Sequence, residues 1–316
     1  MKKPIVYFGL GALVILLFLS FYFFFFRVPT DFPVGSIYSV KEGAGLSALA
    51  KNLSSQKIIR SPFLFKTLSV IFGGLKGIKT GDYALSEKQN LISLAWRFSS
   101  ADYGLALVRI TIPEGLNVKE MAILFSKKFS KITAESFSKV ARDKEGYLFP
   151  ETYLFLPNVE AEAVVKKMEE IFQEKIKELD LEIKSFEKPL SDIIKMASLV
   201  EEEARTEETR QIVAGILWKR LSLNMPLQVD VSFKYINGKT TANLTLTDLK
   251  IDSPYNSYLY KGLPPTPISN PGLDSIRDTV TPTKTDYLYF LSDKKGEMHY
   301  AKTFAEHLQN KELYLK

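Results

Sequence analysis

Between Ile5 and Phe26 the chain runs for 22 residues without a charged side chain, and no other stretch so restricts the structures open to it. At 1.5 Å per residue a helix of that length covers about 30 Å, the thickness of a bilayer's hydrocarbon. Lys2 and Lys3 precede the run and Arg27 follows it. The run closes on Phe23-Phe24-Phe25-Phe26 instead of the small residues of a secretory cleavage site, which predicts an uncleaved transmembrane anchor. The two lysines favour a cytoplasmic N-terminus. The expected arrangement is therefore a membrane crossed once, with the N-terminus in the cytoplasm and residues 28–316 on the outer side.

Charge and composition narrow the functions of that outer part. The net charge is +6. Lys2, Lys3 and Arg27 supply half of it, and the remaining charge is spread among mixed signs. A nucleic-acid binder would gather its lysine and arginine on one face; no such role is expected. The absence of cysteine removes disulfides, thiol catalysis and thiolate metal sites. His299 and His307 are the only histidines, and no H-E-x-x-H occurs, so no metal is expected. Neither G-x-S-x-G, a Walker loop nor G-x-G-x-x-G is present, and the S-x-x-K occurrences lack a companion S-D-N. Cofactors are not expected.

The informative centre is Lys195-Met-Ala-Ser-Leu-Val-Glu-Glu-Glu-Ala204. Read as a helix, it puts Ile193, Met196, Ala197, Val200 and Ala204 on one face. Glu203 then flanks that face beside Met196 and Leu199. Glu201 flanks it on the other side, and Glu202 is expected in water. A carboxyl group held against an apolar wall has its charged form disfavoured, as a general acid at neutral pH requires. A solvated helix end is the plainer reading of three successive glutamates.

The rest of the chain predicts an α+β protein: the anchor over 1–27, a small module over 28–107 and a larger α+β domain over 108–316. In the module, Ile37–Val40 reads as a strand, Leu46–Leu53 as a helix, Pro62–Ile71 as a second helix after the cap Ser61, and Tyr83–Leu85 as a returning strand. This order resembles a LysM-like module, a fold associated with cell-wall glycans. In the larger domain, Val108–Ile112 alternates as a strand, Asn117 and Thr206 are helix N-caps, and Ala161–Leu181 is one charged helix. Tyr287–Leu291 and His299–Thr303 form a hairpin, and Phe304–Leu313 a last helix. Glu145–Phe155 mixes aromatics and acids, among them Tyr147 and Glu151, in the manner of a sugar-gripping ledge; a core strand with a turn reads equally well. Around Met225–Tyr235, Gln228, Asp230 and Ser232 alternate with apolar residues, as on a half-exposed strand. The loop 252–272 carries five prolines and the tyrosines 255, 258 and 260. So long an ordered loop is usually functional.

Four of these stretches, in this order, make the chain similar to a known family. Glu145-Gly-Tyr-Leu-Phe-Pro-Glu-Thr-Tyr153, Met196–Glu203, Leu227-Gln-x-Asp230, and Ser253-Pro-Tyr-Asn-Ser-Tyr258 with Gly262-Leu-Pro-Pro265 resemble the YceG/MltG-like endolytic murein transglycosylases. The resemblance implies a lyase that cuts the β-1,4 bond between N-acetylmuramic acid and N-acetylglucosamine within nascent peptidoglycan strands, leaving 1,6-anhydro ends and terminating glycan elongation. It implies Glu203 as the catalytic residue, with Glu201, Gln228, Asp230, Tyr255, Asn256, Glu151 and Tyr147 as substrate contacts. Glycan strands are the implied partner, and peptidoglycan synthases a further one. Val229 and Val231 stand where the family usually has Thr and Pro. A non-catalytic peptidoglycan-binding scaffold for cell-wall synthases is the alternative reading of the same groove.

Overall fold

The computed structural model describes residues 11, 13–16, 18–20, 22, 23, 26–73 and 77–315. The anchor expected over Ile5–Phe26 falls largely outside them; among the described residues no helix is long and apolar enough to cross a membrane. Two compact units divide the chain, 1–106 and 107–316.

In the first unit β1 (Ser36–Val40) pairs antiparallel with β2 (Gly81–Leu85), Tyr38 opposite Tyr83. Between them lie α1 (Leu46–Ser55) and α2 (Pro62–Gly73), and α3 (Leu91–Ser100) follows. Ser61 accepts the Leu64 N–H on its hydroxyl, and Asn90 accepts the Ser93 N–H, so α2 and α3 start on a side-chain cap, while α1 starts at Gly45 without one. Phe65, Leu53, Leu94 and the stacked rings of Tyr83 and Phe98, 3.9 Å apart, fill the core.

The second unit opens with β3 (Val108–Thr111), antiparallel to β4 (Thr152–Phe155). That ribbon packs on α4 (Val118–Lys128), α5 (Ala134–Val140) and α6 (Ala161–Ile176) through Ile110, Met121, Phe125, Phe137 and Val164. Asn117 and Glu120 close a capping box at α4. The charged helix is shorter than its pattern suggested. It stops at Ile176, passes through a 3-10 turn at Lys177–Leu179 and resumes as α7 (Asp180–Phe186), which brings Leu179 and Ile183 to the core.

Around α8 (Leu190–Glu203) this unit is buried on two sides. Met196, Leu199 and Val200 pack with Val213 and Leu217 of α9 (Glu207–Ser222) and with Leu227 and Val229. Ile193, Ile194 and Ala197 pack with Phe149, Phe172 and Ile276, the last on α11 (Leu273–Val280). Between α9 and α11 lies the short α10 (Ser232–Asn237). The expected strand around Gln228 is absent. Residues 226–229 have no regular secondary structure and pair in no sheet, and Ser232, expected beside Gln228 and Asp230 on an open face, is buried at the start of α10. The hairpin β5 (Tyr289–Ser292) and β6 (Met298–Ala301) precedes the final helix α12 (Phe304–Tyr314).

Loop 252–272 is fastened at both ends. Ser198 accepts the Ile268 N–H at 3.1 Å, and its carbonyl accepts the Ser269 hydroxyl. Asn270, fully buried, accepts the N–H groups of Gly146 and Leu148 and donates to Leu116 O and Glu145, each at 2.9 Å. Glu145 in turn accepts the Val118 N–H at the first turn of α4. Replacing Asn270 by Ala strands two donors and a carboxylate in the interior, where each unmade bond costs about 1–3 kcal/mol. Asn270→Ala is expected to lower stability by about 3 kcal/mol or more, read as an earlier urea midpoint.

Candidate active site

A helix favours cations in its last turn, because the carbonyl end carries partial negative charge. The last turn of α8 carries Glu201, Glu202 and Glu203 and no base. Each acid is handled differently. Glu201 accepts the Gly272 N–H at 2.9 Å. Glu202, expected in water, is instead partly buried and accepts both of its bonds from Lys234 of α10, at 3.0 and 3.2 Å. Lys234 also reaches Glu120 at 3.6 Å and so ties α10, α8 and α4 together. Among the described residues neither Glu201 nor Glu203 meets a cation, and Glu201 has the Gly272 amide in its place.

Glu203 is partly buried, and its Oε1 is sealed from solvent and has no hydrogen-bond partner. Burial pushes its pKa up to about 8, and the neighbouring charge of Asp230 pushes the same way, against one stabilising N–H from Val231. The side chain therefore holds its proton at neutral pH.

Two glycines let the Pro113-Glu114-Gly115 turn lie against this helix end. Gly115 has φ +76°, and a Cβ there would come within 2.6 Å of Glu202 Oε1. A Cβ on Gly272 would overlap the Glu114 carboxyl, which is itself pushed up by burial and by the charges of Glu201 and Asp274.

Opposite Glu203 runs the segment 226–231, held by its backbone. Arg220, from inside α9, donates to Leu227 O at 2.6 Å, to Pro226 O at 3.3 Å and to Leu288 O at 2.7 Å. The Ser257 hydroxyl accepts the Val229 N–H and donates to Val229 O, while Ser257 O accepts the Gln228 N–H. Gln228 takes a left-handed backbone, φ +52°, with its side chain exposed. A side chain in that region costs on the order of 1–3 kcal/mol and persists where the surroundings enforce it, often at functional sites. The turn aims Asp230 back at Glu203. Tyr258 donates its hydroxyl to Asp230 Oδ1 at 2.5 Å, and burial together with that bond raises the phenol's pKa far above its usual value.

The structure thus gathers Glu203, Asp230 and Tyr258, with Gln228 two residues away on the same turn. The Tyr255 ring lies tilted at 45° against Tyr235 of α10, 4.8 Å between centroids, and its hydroxyl meets Thr266 Oγ1. The other expected contacts lie elsewhere. Asn256 is fully buried; it donates to Leu249 O and Ile251 O and accepts the Tyr258 N–H, so it shapes the loop and offers nothing to a ligand. Tyr147 packs edge-on against Phe172, near Asp192 at the opposite end of α8. Glu151 is exposed, and its carboxylate accepts only the neighbouring Thr152 N–H among the bonds described. Tyr258 stood within a recognised motif without a role; Tyr235, Lys234 and Arg220 had no signal, since their partners lie up to 119 residues away.

A single protonated carboxyl, sealed at one oxygen and facing a carboxylate–phenol pair, defines a general acid–base site on an α+β scaffold. Residues 38–313 match the YceG-like family, and the chain belongs to that family. It is 33% identical over 304 residues to the endolytic murein transglycosylase of Bacillus subtilis, spanning 88% of this chain and 84% of that one. With the protein of the same name from Streptococcus pneumoniae D39 it shares 27% over 313 residues; this covers 86% of the chain and 57% of that longer relative. A YceG-like protein of Listeria monocytogenes, solved crystallographically at 2.6 Å, superposes with a TM-score of 0.59 at 27% identity, over 87% of this chain and 98% of that one.

The raised pKa also fixes how Glu203 acts on stability. Its native pKa lies above that of the unfolded chain, so its contribution is fully present below about 4.5 and is lost as pH climbs through about 8. Glu203→Gln is expected to melt near the wild-type temperature at pH 5 and above it at pH 9, the gap opening between the two, as calorimetry across that range would read.

Proposed function

We propose that this protein is a lytic transglycosylase that cuts inside peptidoglycan strands, with Glu203 as its one acid–base residue. The observation that carries the reading is a protonated Glu203 whose Oε1 has no partner. The similarity to named endolytic murein transglycosylases supports it.

The acid gives its proton to the glycosidic oxygen, which leaves as O4 of N-acetylglucosamine while the C1–O bond of N-acetylmuramic acid breaks. Positive charge gathers at the ring, and the Asp230 carboxylate held by Tyr258 favours it there. Glu203 is then an anion in surroundings that oppose its charge, which makes it a strong base. It takes the proton of the sugar's own C6 hydroxyl as O6 bonds to C1. The products are a 1,6-anhydro end and a free 4-hydroxyl, with Glu203 protonated again. Water is not consumed, so a second catalytic carboxylate has no task. Gln228 and the Tyr235–Tyr255 pair line the approach to this centre, and Glu201 holds the Gly272 turn in place beside it.

In this reading Ile5–Phe26 anchors the chain in the cytoplasmic membrane, N-terminus inward, with the cutting domain among growing strands and within reach of their synthases. The strand–helix–helix–strand order of the first unit supports a LysM-like module that holds glycan near the site.

Peptidoglycan incubated with the full chain is expected to yield anhydro ends by mass spectrometry. General acid–base catalysis contributes about 10²–10⁴-fold, so Glu203→Gln should cut turnover by about a thousandfold while leaving binding intact. The wild-type rate should fall above about pH 8, as the proton leaves Glu203. Reducing ends would make the protein a hydrolase; binding without any product would make it a scaffold for cell-wall synthases.

A further inference from the structure

Helix α2 is apolar on its outer side as well as on its core side, where Leu64 and Leu68 pack beside Phe65. Phe65 and Ser69 face the core of the first unit, while Phe63, Thr67, Val70 and Ile71, spaced i, i+4, i+7, i+8, form the face turned to solvent. Phe63 is 72% exposed and Ile71 67%, values at which burying them elsewhere is favourable. On the adjacent α3, Ile92 and Trp96 lie one turn apart, and both are exposed. A helix that is apolar on its outer side has a further partner or none.

Charge says which partner. From residue 43 to residue 81 the chain carries Lys51, Lys57, Arg60, Lys66, Lys76 and Lys79 and no acidic residue. Exposed aromatic and branched side chains on a stretch with bases, of which Lys57 pairs with Asp31, and no acids match the composition of a helix lying in the headgroup layer of an anionic membrane. A soluble anionic polymer would use the bases and leave Phe63 and Ile71 in water. Position agrees. Phe26, the last residue of the uncharged run, and Val28 just after it pack on the core of this unit, and Phe32 is buried in it, so no free tether separates the two.

We propose that the outer face of α2 docks on the anionic surface of the membrane that anchors the chain. The proposal rests on reading residues 5–26 as that anchor. Docking would set the first unit flat on the lipid, so the uncharged run and the helix together hold it at two points.

The chain has no cysteine, so one introduced thiol labels uniquely. The full chain carrying Ile71→Cys or, as a control on α7, Leu181→Cys (81% exposed) would be given a nitroxide and reconstituted in vesicles of phosphatidylcholine with one-quarter phosphatidylglycerol. Relaxation by oxygen relative to a water-soluble nickel chelate reports immersion. A ratio several-fold higher at 71 than at 181, dropping towards the control value in pure phosphatidylcholine, is the expected result. Equal ratios at the two sites overturn the proposal, as does an unchanged ratio without the anionic lipid. A label at 71 shielded from both reagents would place a protein surface there, such as a second copy, and overturns it too. Resistance of the same vesicles to alkaline carbonate tests the anchor separately: chain that washes off sinks the anchor, while the label still decides the patch.

Discussion

Everything around the site depends on a carboxyl group placed where its charge is opposed from three directions. The end of a buried helix presents carbonyls, the walls exclude water from Oε1, and Asp230 adds a negative neighbour. One backbone N–H from Val231 is too little to offset them. The fold supports this by neutralising the acids on either side. Lys234 engages Glu202 and the Gly272 amide engages Glu201, so the repulsion along the last turn of α8 falls on one group. A local rule of helix composition is broken there, and the breach is confined to the residue that uses it.

The surroundings are rigid for a reason that can be traced. Ser198 and Asn270 fasten loop 252–272 to the central helix and to the turn around Gly146, and Ser257 in that loop grips the peptide of Val229. A chain of short bonds thus runs from the core of α8, through the loop, to the turn that carries Asp230. Groups held by packed neighbours keep their geometry as charge moves, which is how preorganised donors act in catalysis.

Much of this was legible in the sequence. Capping residues Asn117 and Thr206 and the pairing of the strands 36–40 and 81–85 follow from periodicity and turn chemistry. Glu202 was not legible: its partner Lys234 is 32 residues away, and helical spacing alone sends the side chain to water. The alternation at Gln228, Asp230 and Ser232 imitated a strand because period two is shared by any extended segment; Arg220 and Ser257 supply the bonds that a sheet would have supplied. Asn256 and Tyr147 sat within recognisable motifs, yet one is spent on loop carbonyls and the other on core packing. A motif marks residues that matter without saying whether they matter to the ligand or to the scaffold.

Arg220 ties Leu227 and Pro226 to Leu288, a residue just before the hairpin near the end of the chain. The turn bearing Asp230 thus draws part of its support from a residue 68 positions beyond Arg220, and damage to that distant segment would be felt at the site.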